Sequence, residues 1–451
     1  MSQTSVPNLQ LHTSYKQILS IAIPIAAAIV VPQFNFITNN VFLGHLSEAA
    51  LAAAGITGVY YLIFAVIGYG LNNGLQSLIS RRAGENRPEE IGKLFIQGVY
   101  ITLAIAAFGI LLSYTLGPVV LKLTLHDPVI YTSAVSFLKI RIWGLPFLYI
   151  YQMRNALLVG TNNSRYLVSG TIAETVTNVA LDYLLIFGML GFPKLGFNGA
   201  AIASVIAEFV GMAVVFAVVH YKGIGKQFGL LKHSRFDPGL SKLILVQSSP
   251  LILQYFISVA CWEFFYILVE HHGARDLAVS NTMRNIFGLF GCASWAFAAT
   301  TTTMVSNIIG QGRQDMVLEL VKKIARLSLL IGVGLAVLLN IFPHLFLSIY
   351  GQGSDFTKYA TPVLRVVSVA LVCMSFSTVW LNAITGTGNT KVNLAIEVFT
   401  ITLYCVYVWL VLEKWQLSIT IGWTSELLYW LSMFSLSYWY LHSGKWRGKK
   451  I

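Results

Sequence analysis

Long, nearly uninterrupted apolar runs dominate the chain, and short polar segments separate them. Each run is at least as long as the about 20 residues that an α-helix needs to cross the hydrocarbon core of a bilayer. The runs are continuous rather than alternating with period two, which excludes a membrane β-barrel. The pattern therefore predicts twelve transmembrane helices, at residues 17–42, 51–79, 94–116, 130–158, 166–189, 198–220, 243–271, 277–308, 321–347, 358–386, 392–412 and 417–441.

Composition narrows the class of protein further. Apolar residue types (AVILMFWYC) make up 56% of the 451 residues and charged types 11%, whereas soluble domains have about 45–50% and about 25%. A water-soluble enzyme, a disordered chain and a nucleic-acid-binding protein are thereby excluded. The four cysteines lie inside apolar runs, at spacings that suit neither a metal site nor a disulfide framework. We expect an all-α integral membrane protein.

Basic residues predict its orientation in the membrane. Lys and Arg number 30 against 18 Asp and Glu, and membrane proteins keep such an excess in cytoplasmic loops. With the N-terminus inside, twenty of them fall on the cytoplasmic side and five on the other. Both termini are therefore predicted to be cytoplasmic, which agrees with an even number of helices.

An internal repeat divides the chain. Shifting the sequence by 226 residues places Pro24 on Pro250 and Gly160-Thr161 on Gly386-Thr387, with further matches between. The repeat predicts two pseudo-symmetric six-helix lobes, residues 1–220 and 243–451, joined by a basic cytoplasmic linker at 221–242. Transporters built from parallel repeats bind their substrate near the midplane between the halves and alternate access by rocking.

Several segments resemble the multidrug and toxic compound extrusion (MATE) transporters of prokaryotes. They are VFLGHLSEAALAAAG (41–55), RRAGENRPEEIGK (81–93), RNALLVGTNNSR (154–165), NVALDYLLIFG (178–188), GFPKLGFNGAAIAS (191–204) and NAITGTGNTK (382–391). The resemblance implies a V-shaped antiporter of the multidrug/oligosaccharidyl-lipid/polysaccharide (MOP) type in the inner membrane. It would exchange small organic compounds, often cationic or amphipathic, for H⁺ or Na⁺. We expect a monomer surrounded by lipid, with no cofactor, no nucleic-acid partner and no enzymatic activity.

A cluster in the first lobe is the candidate cation site. Charges at bilayer depth cost at least about 2.5–3.5 kcal/mol, so each one suggests a function. Asn178 and Asp182 lie at i, i+4 on one helix face, and Glu174 lies one turn deeper. Counting from the hairpin turn puts Ser204 at the depth of Asp182, and Asn39 lies in the outer half of its own helix. Their oxygens suit Na⁺, whereas a desolvated carboxylate suits a proton.

The MATE resemblance points to the same cluster. Asn178, Asp182 and Ser204 match the first-lobe cation site of the prokaryotic family, but many members have Asp-Thr where this chain has Asn39-Asn40. Asp182 is then the main acid, with Glu174 as the replacement for the missing charge. The alternative is that Asp182 merely hydrogen-bonds a neighbouring helix.

The second lobe departs from the family. Some relatives have a Glu and an Asp where this chain has Ser258 and Phe376, so that acidic site is predicted to be absent. Glu263 and Arg284 lie equally far from their hairpin turn, about 15 Å below it at 1.5 Å per residue. We expect a buried pair that faces the cavity, and it is either opened by the substrate or static.

Other membrane-embedded groups are weaker candidates. Arg141 either lines the first-lobe cavity or pairs with Glu174 or Glu208, and Glu426 is a candidate for the wall of the second cavity. Glu397 and Arg154 lie near cytoplasmic helix ends, where snorkelling to the interface would explain them. Pro24 and Pro250, each early in the first helix of a lobe, are candidate hinges.

Three further functions compete with antiport. A flippase for lipid-linked precursors, from the wider superfamily, would be favoured by extra helices and a strongly basic cavity. An intramembrane enzyme would need a motif such as His-Glu-x-x-His or Gly-x-Ser-x-Gly, which the sequence lacks. A channel would need a filter-like ring or repeated pore loops. The sequence favours the antiporter and leaves the choice of H⁺ or Na⁺ open.

Overall fold

The computed structural model describes residues 9–125, 127–230, 232, 235–349, 353–449 and 451, without the side chains of residues 36, 37, 40, 48, 49, 51 and 52. Within these ranges all regular structure is helical, which confirms the predicted all-α class. The α-helices are α1 (Tyr15–Leu46), α2 (Glu48–Gly84), α3 (Pro88–Thr115), α4 (Gly117–Thr124), α5 (Pro128–Arg141), α6 (Leu145–Gly160), α7 (Leu167–Phe187), α8 (Phe197–Tyr221), α9 (Ile224–Gln227), α10 (Pro238–Glu270), α11 (Ala274–Gly310), α12 (Val317–Ile341), α13 (Pro343–Ser348), α14 (Gly353–Thr387), α15 (Thr390–Val408), α16 (Ile419–Gly422) and α17 (Ser425–His442).

Twelve long helical segments of the described ranges coincide with the twelve predicted spans. In this count α5 and α6 together form one segment, and α15 forms one segment with the π-helix at Trp409–Lys414 that continues it. Nine spans in the described residues are apolar enough to cross a membrane by composition alone. The helices α7, α11 and α17 are long as well, but they are more polar. They carry Asp182, Arg284 and Glu426, respectively, which is typical of helices that turn functional groups inward.

The helices repeat at the same offset as the sequence. Adding 226 to the bounds of α2, Glu48–Gly84, gives those of α11, Ala274–Gly310, at both ends. The apolar segment Pro88–Thr115 likewise becomes Gln314–Ile341. The predicted internal repeat is therefore present in the structure as well.

By their internal contacts the described residues form two compact units. The first holds Leu9 and Ala27–Ile252, and the second holds Gln10–Ala26 and Leu253–Ile451. Each boundary lies two residues after a proline, Pro24 or Pro250. These bounds differ from the lobes at 1–220 and 243–451, because the lobes follow the sequence repeat and the units follow packing. The lobe boundaries stay a prediction.

Close backbone approaches hold the first unit together. On α2, Gly70 and Gly74 face the first part of α10: a Cβ at Gly70 would lie 2.7 Å from the Ile252 backbone nitrogen, and one at Gly74 would lie 2.1 Å from Ser248 Oγ. On α8, a Cβ at Gly199 would lie 2.7 Å from the Leu185 carbonyl oxygen of α7. Small residues allow such contacts between membrane helices, and the α7–α8 contact fixes the relative depth of the candidate site residues.

The second unit packs around α11 and α14. A Cβ at Gly386 would lie 2.9 Å from the Thr302 carbonyl oxygen, and Thr302 Oγ1 donates to the Asn382 carbonyl at 3.2 Å. Next to α16, the buried indole of Trp423 donates to Ser280 Oγ at 3.1 Å. These contacts fix α11, α14 and the start of α17 around the side chains described below.

Candidate functional sites

Asp182 on α7 is a fully buried acid. Its exposed fraction is 0%, and neither carboxylate oxygen has a hydrogen-bond partner among the described residues. One turn earlier, Asn178 Nδ2 lies 3.4 Å from Ser204 Oγ across the α7–α8 contact, whereas the hairpin count predicts Ser204 at the depth of Asp182. Among the described residues nothing supports the alternative in which Asp182 merely hydrogen-bonds a neighbouring helix. A buried carboxylate without a hydrogen-bond donor among the described residues is stabilised by binding a proton or a metal cation.

The other members of the predicted cluster are less constrained. Asn39 on α1 has a buried Oδ1 that also lacks a hydrogen-bond partner in the described part of the chain. Glu174 is half-buried and faces α8, where a Cβ at Gly211 would lie 3.1 Å from its Oε2. The side chain of Asn40 lies outside the described residues. Hydrogen bonds between described residues thus join Asn178 to Ser204 and do not link Glu174 to that pair.

Arg141 and Glu208 form a bidentate ion pair inside the first unit. Their nitrogen and oxygen atoms are 2.6 and 2.9 Å apart. Tyr61 completes the group: its hydroxyl donates to Glu208 at 3.1 Å, and its ring lies 3.8 Å below the guanidinium carbon. Gly144 leaves the space for this pair, because a Cβ there would lie 2.0 Å from Glu208 Oε2. Of the open alternatives for Arg141, the structure selects pairing with Glu208.

Arg154 does not snorkel to the interface, so that interpretation is wrong. Its guanidinium donates to the Met212 carbonyl oxygen at 2.6 Å and lies 4.5 Å over the Phe216 ring. The side chain is buried. Because a carbonyl oxygen and an aromatic face within the unit satisfy the charge of the guanidinium, Arg154 has no need to reach water.

In the second unit, Glu263 and Arg284 pair as predicted but are not buried. Their charged atoms are 3.5 Å apart, and each side chain is 39% exposed. The guanidinium also lies 5.3 Å from the Trp262 ring centre and 5.2 Å from that of Tyr266. The count from the hairpin turn fixes depth but not rotation about the helix axis, which is why the pairing was predictable and the exposure was not.

Glu397 on α15 is the deepest acid of the second unit, with an exposed fraction of 1%. It accepts hydrogen bonds from Ser258 Oγ at 2.8 Å, Tyr429 Oη at 2.5 Å and Gln254 Nε2 at 3.2 Å. Snorkelling is therefore the wrong interpretation of Glu397. Ser258, where some relatives have a Glu, supports a carboxylate that comes from another helix, so an acid remains in this region. In the sequence, Ser258 at the position of that Glu was the one indication that the region still holds an acid.

Next to Glu397 lies a cavity of about 190 Å³ within the second unit. Glu426, in the first turn of α17, contributes a carboxylate to its wall, and its Oε2 accepts the Trp430 indole N–H at 3.0 Å. The rest of the wall is mainly aromatic: Trp262, Phe287, Trp295, Tyr404, Tyr429 and Trp430. The sequence named Glu426 as a candidate wall residue, which the structure confirms, but gave no indication of which aromatic residues surround it.

Taken together, a duplicated six-helix repeat with buried carboxylates in both units defines the class of protein. Polytopic α-helical membrane transporters with parallel repeats have this architecture. The MatE family model matches residues 24–184 and again residues 250–410. The second stretch begins and ends 226 residues after the first, which is the offset of the internal repeat. The chain belongs to the MatE family, which confirms the resemblance to MATE transporters.

Individual relatives agree over almost the whole length. The probable multidrug resistance protein NorM of Thermotoga maritima is 24% identical, over 99% of this chain and 96% of its own. A MOP superfamily transporter from Pyrococcus furiosus, for which a binding pocket of reverse polarity has been described, superposes with a TM-score of 0.87 at 15% identity. That match covers 98% of this chain and 99% of the other. The outward-facing structure of a multidrug resistance MATE transporter gives a TM-score of 0.88 at 15% identity, with 98% of both chains covered. These structures share the fold of this chain.

Proposed function

We propose that this MatE-family membrane transporter is a secondary antiporter. It exports small organic compounds, often cationic or amphipathic, and takes up H⁺ or Na⁺ in exchange. The observation that carries the proposal is Asp182, a fully buried carboxylate with no partner on either oxygen among the described residues. The name of the Thermotoga relative, a probable multidrug resistance protein, supports the substrate class.

The coupling follows from the energetics of burying charge. An unpaired carboxylate in a low-dielectric interior is strongly unfavourable, and a bound proton or metal cation removes that penalty. A state of the protein that buries Asp182 therefore favours its occupied form, and a state that hydrates Asp182 favours the empty form. Such differential affinity for two states is what a ligand needs to shift a conformational equilibrium.

Either ion is compatible with the side chains of the predicted cluster. For Na⁺, the Asp182 carboxylate, the amide oxygens of Asn178 and Asn39 and the Ser204 hydroxyl are the oxygen types that hard cations prefer. For H⁺, the Asp182 carboxylate is sufficient by itself. The coupling ion is here the transported cargo, and we propose no resident cofactor.

Alternating access would use the two prolines. We propose that α1 and α10 bend near Pro24 and Pro250, which remove helical hydrogen bonds and lie two residues before the unit boundaries. The half-exposed Glu263–Arg284 pair is available to charged groups of a substrate, which favours a gating role over a static one. We place the protein as a monomer in the prokaryotic cytoplasmic membrane, with both termini inside.

Efflux from proteoliposomes tests the proposal. A fluorescent organic cation is loaded, a pH gradient or a Na⁺ gradient is imposed separately, and the initial rate is compared between wild type and Asp182→Asn. We expect one gradient to drive efflux in the wild type, and the variant to lose at least about tenfold in rate, equivalent to about 1.4 kcal/mol. The gradient that works identifies the ion.

Asp315→Asn is the matched control, because Asp315 is an exposed carboxylate in the short segment between α11 and α12 and undergoes the same chemical change. Its efflux should equal that of the wild type. Equal rates for Asp182→Asn and wild type would remove Asp182 from the mechanism, and no response of the wild type to either gradient would overturn antiport.

A further inference from the structure

A groove on the outer face of α15 begins at a lysine, and a second group of basic side chains is folded against the turn that precedes this helix. We propose that this part of the second unit binds one anionic phospholipid, with an acyl chain along the groove and the phosphate against the basic side chains. The inference is independent of antiport at Asp182, because every residue that it uses belongs to the second unit.

The groove has the length of an acyl chain in one leaflet. Its volume is about 530 Å³, and Lys391 and Leu403 mark its two ends. These residues are twelve positions apart on α15, which is about 18 Å at 1.5 Å per residue. One leaflet accounts for half of a hydrocarbon core of about 30 Å. The groove therefore extends from the level of the headgroups to about the middle of the bilayer.

The wall of the groove is apolar once it leaves Lys391. It is formed by one exposed face of α15, with residues at intervals of three and four: Leu394, Ala395, Val398, Phe399, Thr402 and Leu403. The hydroxyl of Thr402 donates to the Val398 carbonyl oxygen of the same helix at 2.7 Å. Since the one polar group beyond the lysine is satisfied internally, the face suits hydrocarbon.

Lys391 makes the start of the groove electropositive. It lies in the first turn of α15, its side chain is exposed, and it forms no ion pair within 4.0 Å in the described part of the chain. The amino end of a helix is itself electropositive. Cation and helix terminus thus favour an anion at the same place, where the apolar face begins.

The segment after α17 is folded against the same end of α15. Trp446 is 2% exposed, and its indole donates to a carbonyl oxygen in the last turn of α17 at 2.8 Å. Ile451 packs in the turn between α14 and α15, because a Cβ built at Gly388 would lie 2.7 Å from Ile451 Cγ2. These two anchors hold the intervening residues next to the start of the groove.

This segment adds three exposed cations, Lys445, Arg447 and Lys449. None of them forms an ion pair within 4.0 Å with a described Asp or Glu. The Lys445 ammonium lies 5.7 Å from the ring centre of Trp439, an exposed indole near the end of α17. Exposed tryptophans are typical of the membrane interface, so these cations lie at the depth of lipid phosphates.

Membrane topology alone does not explain the arrangement. The preference of Lys and Arg for cytoplasmic loops depends on their number near the ends of the spans and requires neither a folded segment nor a groove. A phospholipid with a net negative charge uses both features. Each basic residue near an anionic membrane surface contributes about 1 kcal/mol, so the four cations should select an anionic over a zwitterionic headgroup.

Native mass spectrometry of the delipidated full chain in detergent tests the headgroup. The protein is titrated with palmitoyl-oleoyl phosphatidylglycerol or with the phosphatidylcholine of the same chains. We expect one phosphatidylglycerol to bind at least tenfold more tightly than phosphatidylcholine, the equivalent of 1.4 kcal/mol. Lys391→Gln should lower the affinity for phosphatidylglycerol about fivefold, equivalent to about 1 kcal/mol for one cation. The triple variant Lys445→Gln/Arg447→Gln/Lys449→Gln should lower it at least tenfold.

Lys322→Gln is the matched control for the charges, because Lys322 is an exposed cation on α12 of the same unit. Its affinity for phosphatidylglycerol should equal that of the wild type. An excess of sn-glycerol 3-phosphate should not displace the lipid, because the acyl chain contributes to binding. Displacement by this soluble anion would indicate a site for free phosphate groups and overturn the lipid.

A bulky side chain tests the groove. Ala395→Trp places an indole on the exposed apolar face and should lower the affinity for phosphatidylglycerol at least fivefold. Val406→Trp is its control, because Val406 is exposed on α15 but does not line the groove. Phosphatidylglycerol with a photoreactive diazirine on its acyl chain should label the peptide that contains residues 394–403.

Several outcomes would overturn the inference. They are equal affinities for phosphatidylglycerol and phosphatidylcholine, equal weakening by Lys322→Gln and Lys391→Gln, equal effects of the two tryptophan variants, and labelling confined to other helices. None of these measurements involves an ion gradient, so their failure leaves antiport untouched, and a failure of gradient-driven efflux leaves the lipid site untouched.

Discussion

Two buried carboxylates of the first unit, Glu208 and Asp182, differ in their hydrogen-bond partners. The comparison shows that the partners of a buried acid, and not its burial alone, indicate its role. Glu208 is buried but receives two hydrogen bonds from Arg141 and one from Tyr61. Asp182 is buried at least as deeply and receives none from the described residues. Glu208 is therefore satisfied in this conformation, whereas Asp182 has no hydrogen-bond donor among the described residues.

Breaking the Arg141–Glu208 pair should destabilise the protein. Arg141→Met leaves the buried Glu208 charge with only the Tyr61 hydroxyl, and losing one partner of a buried pair typically costs about 3–5 kcal/mol. The double variant Arg141→Met/Glu208→Gln removes both charges and should recover a large part of the loss. Thermal unfolding of the detergent-solubilised protein, arranged as a double-mutant cycle, measures the coupling between the two residues.

Lys323→Met is the matched control, because Lys323 is only half-buried on α12 and its partner Glu319, 2.7 Å away, is exposed, and pairs that reach solvent contribute little. A double variant that is no more stable than Arg141→Met would contradict the assignment of Glu208 as the stranded charge.

For single residues, the sequence predicts the depth of a side chain along its helix better than the residues that this side chain contacts. Helical spacing and hairpin counting pair Glu263 with Arg284, but they match Ser204 with Asp182 and not with Asn178, the residue one turn away that Ser204 contacts. They could not orient Glu397, because depth along a helix says nothing about which neighbour the side chain faces. The three donors of Glu397 come from α10 and α17, and those contacts exist only after the unit has packed.

At the scale of the helix, the contact between α2 and the first part of α10 depends on two glycines. Gly70 and Gly74 are four residues apart, so they lie on the same face of α2 and let the backbone at Ser248 and Ile252 approach closely. Gly58, on the same helix, has nothing within 4 Å of a Cβ built there.

Gly74→Ala should therefore destabilise the first unit, while Gly58→Ala should not. The Gly74 Cβ would lie 2.1 Å from Ser248 Oγ and 2.9 Å from its Cα, so the helices have to separate, and overpacking of this kind typically costs about 1–3 kcal/mol. Thermal unfolding of both variants measures the difference. Equal stability of the two would show that the close approach contributes nothing to packing.

Hydrophobic runs predicted where each helix crosses the membrane but not where it ends. The second apolar run of the sequence covers residues 51–79, whereas the helix that contains it, α2, extends over Glu48–Gly84. Polar residues continue a helix beyond the bilayer because its backbone hydrogen bonds are already satisfied internally. The π-helical segment at Trp409–Lys414 gave no signal in the sequence, since its composition resembles that of the helix before it.

At the scale of the whole molecule, the prolines coincide with the division into units. Pro24 and Pro250 occupy equivalent repeat positions, and each precedes a unit boundary by two residues. The repeat itself was predictable, because one constant offset relates the two halves. The division was not, because it depends on which side chains touch and not on which residues correspond.

Pro24→Ala should slow transport without unfolding the protein. Restoring the helical hydrogen bond stiffens α1, and we expect gradient-driven efflux to fall about tenfold, equivalent to about 1.4 kcal/mol of activation free energy. Pro362→Ala is the control, because Pro362 also lies inside a helix, α14, but within a single unit. Unchanged turnover in Pro24→Ala, or equal slowing in both variants, would contradict the hinge.

The division of α1 and α10 also constrains biogenesis. Residues 10–26 are synthesised before Ala27–Ile252, yet the unit that they complete is finished only when Leu253–Ile451 has been synthesised. The first unit, for its part, lacks its last segment until translation has passed Ile252. Neither unit is thus built from one continuous stretch of sequence, and residues 10–26 pack with helices that are synthesised after the first unit.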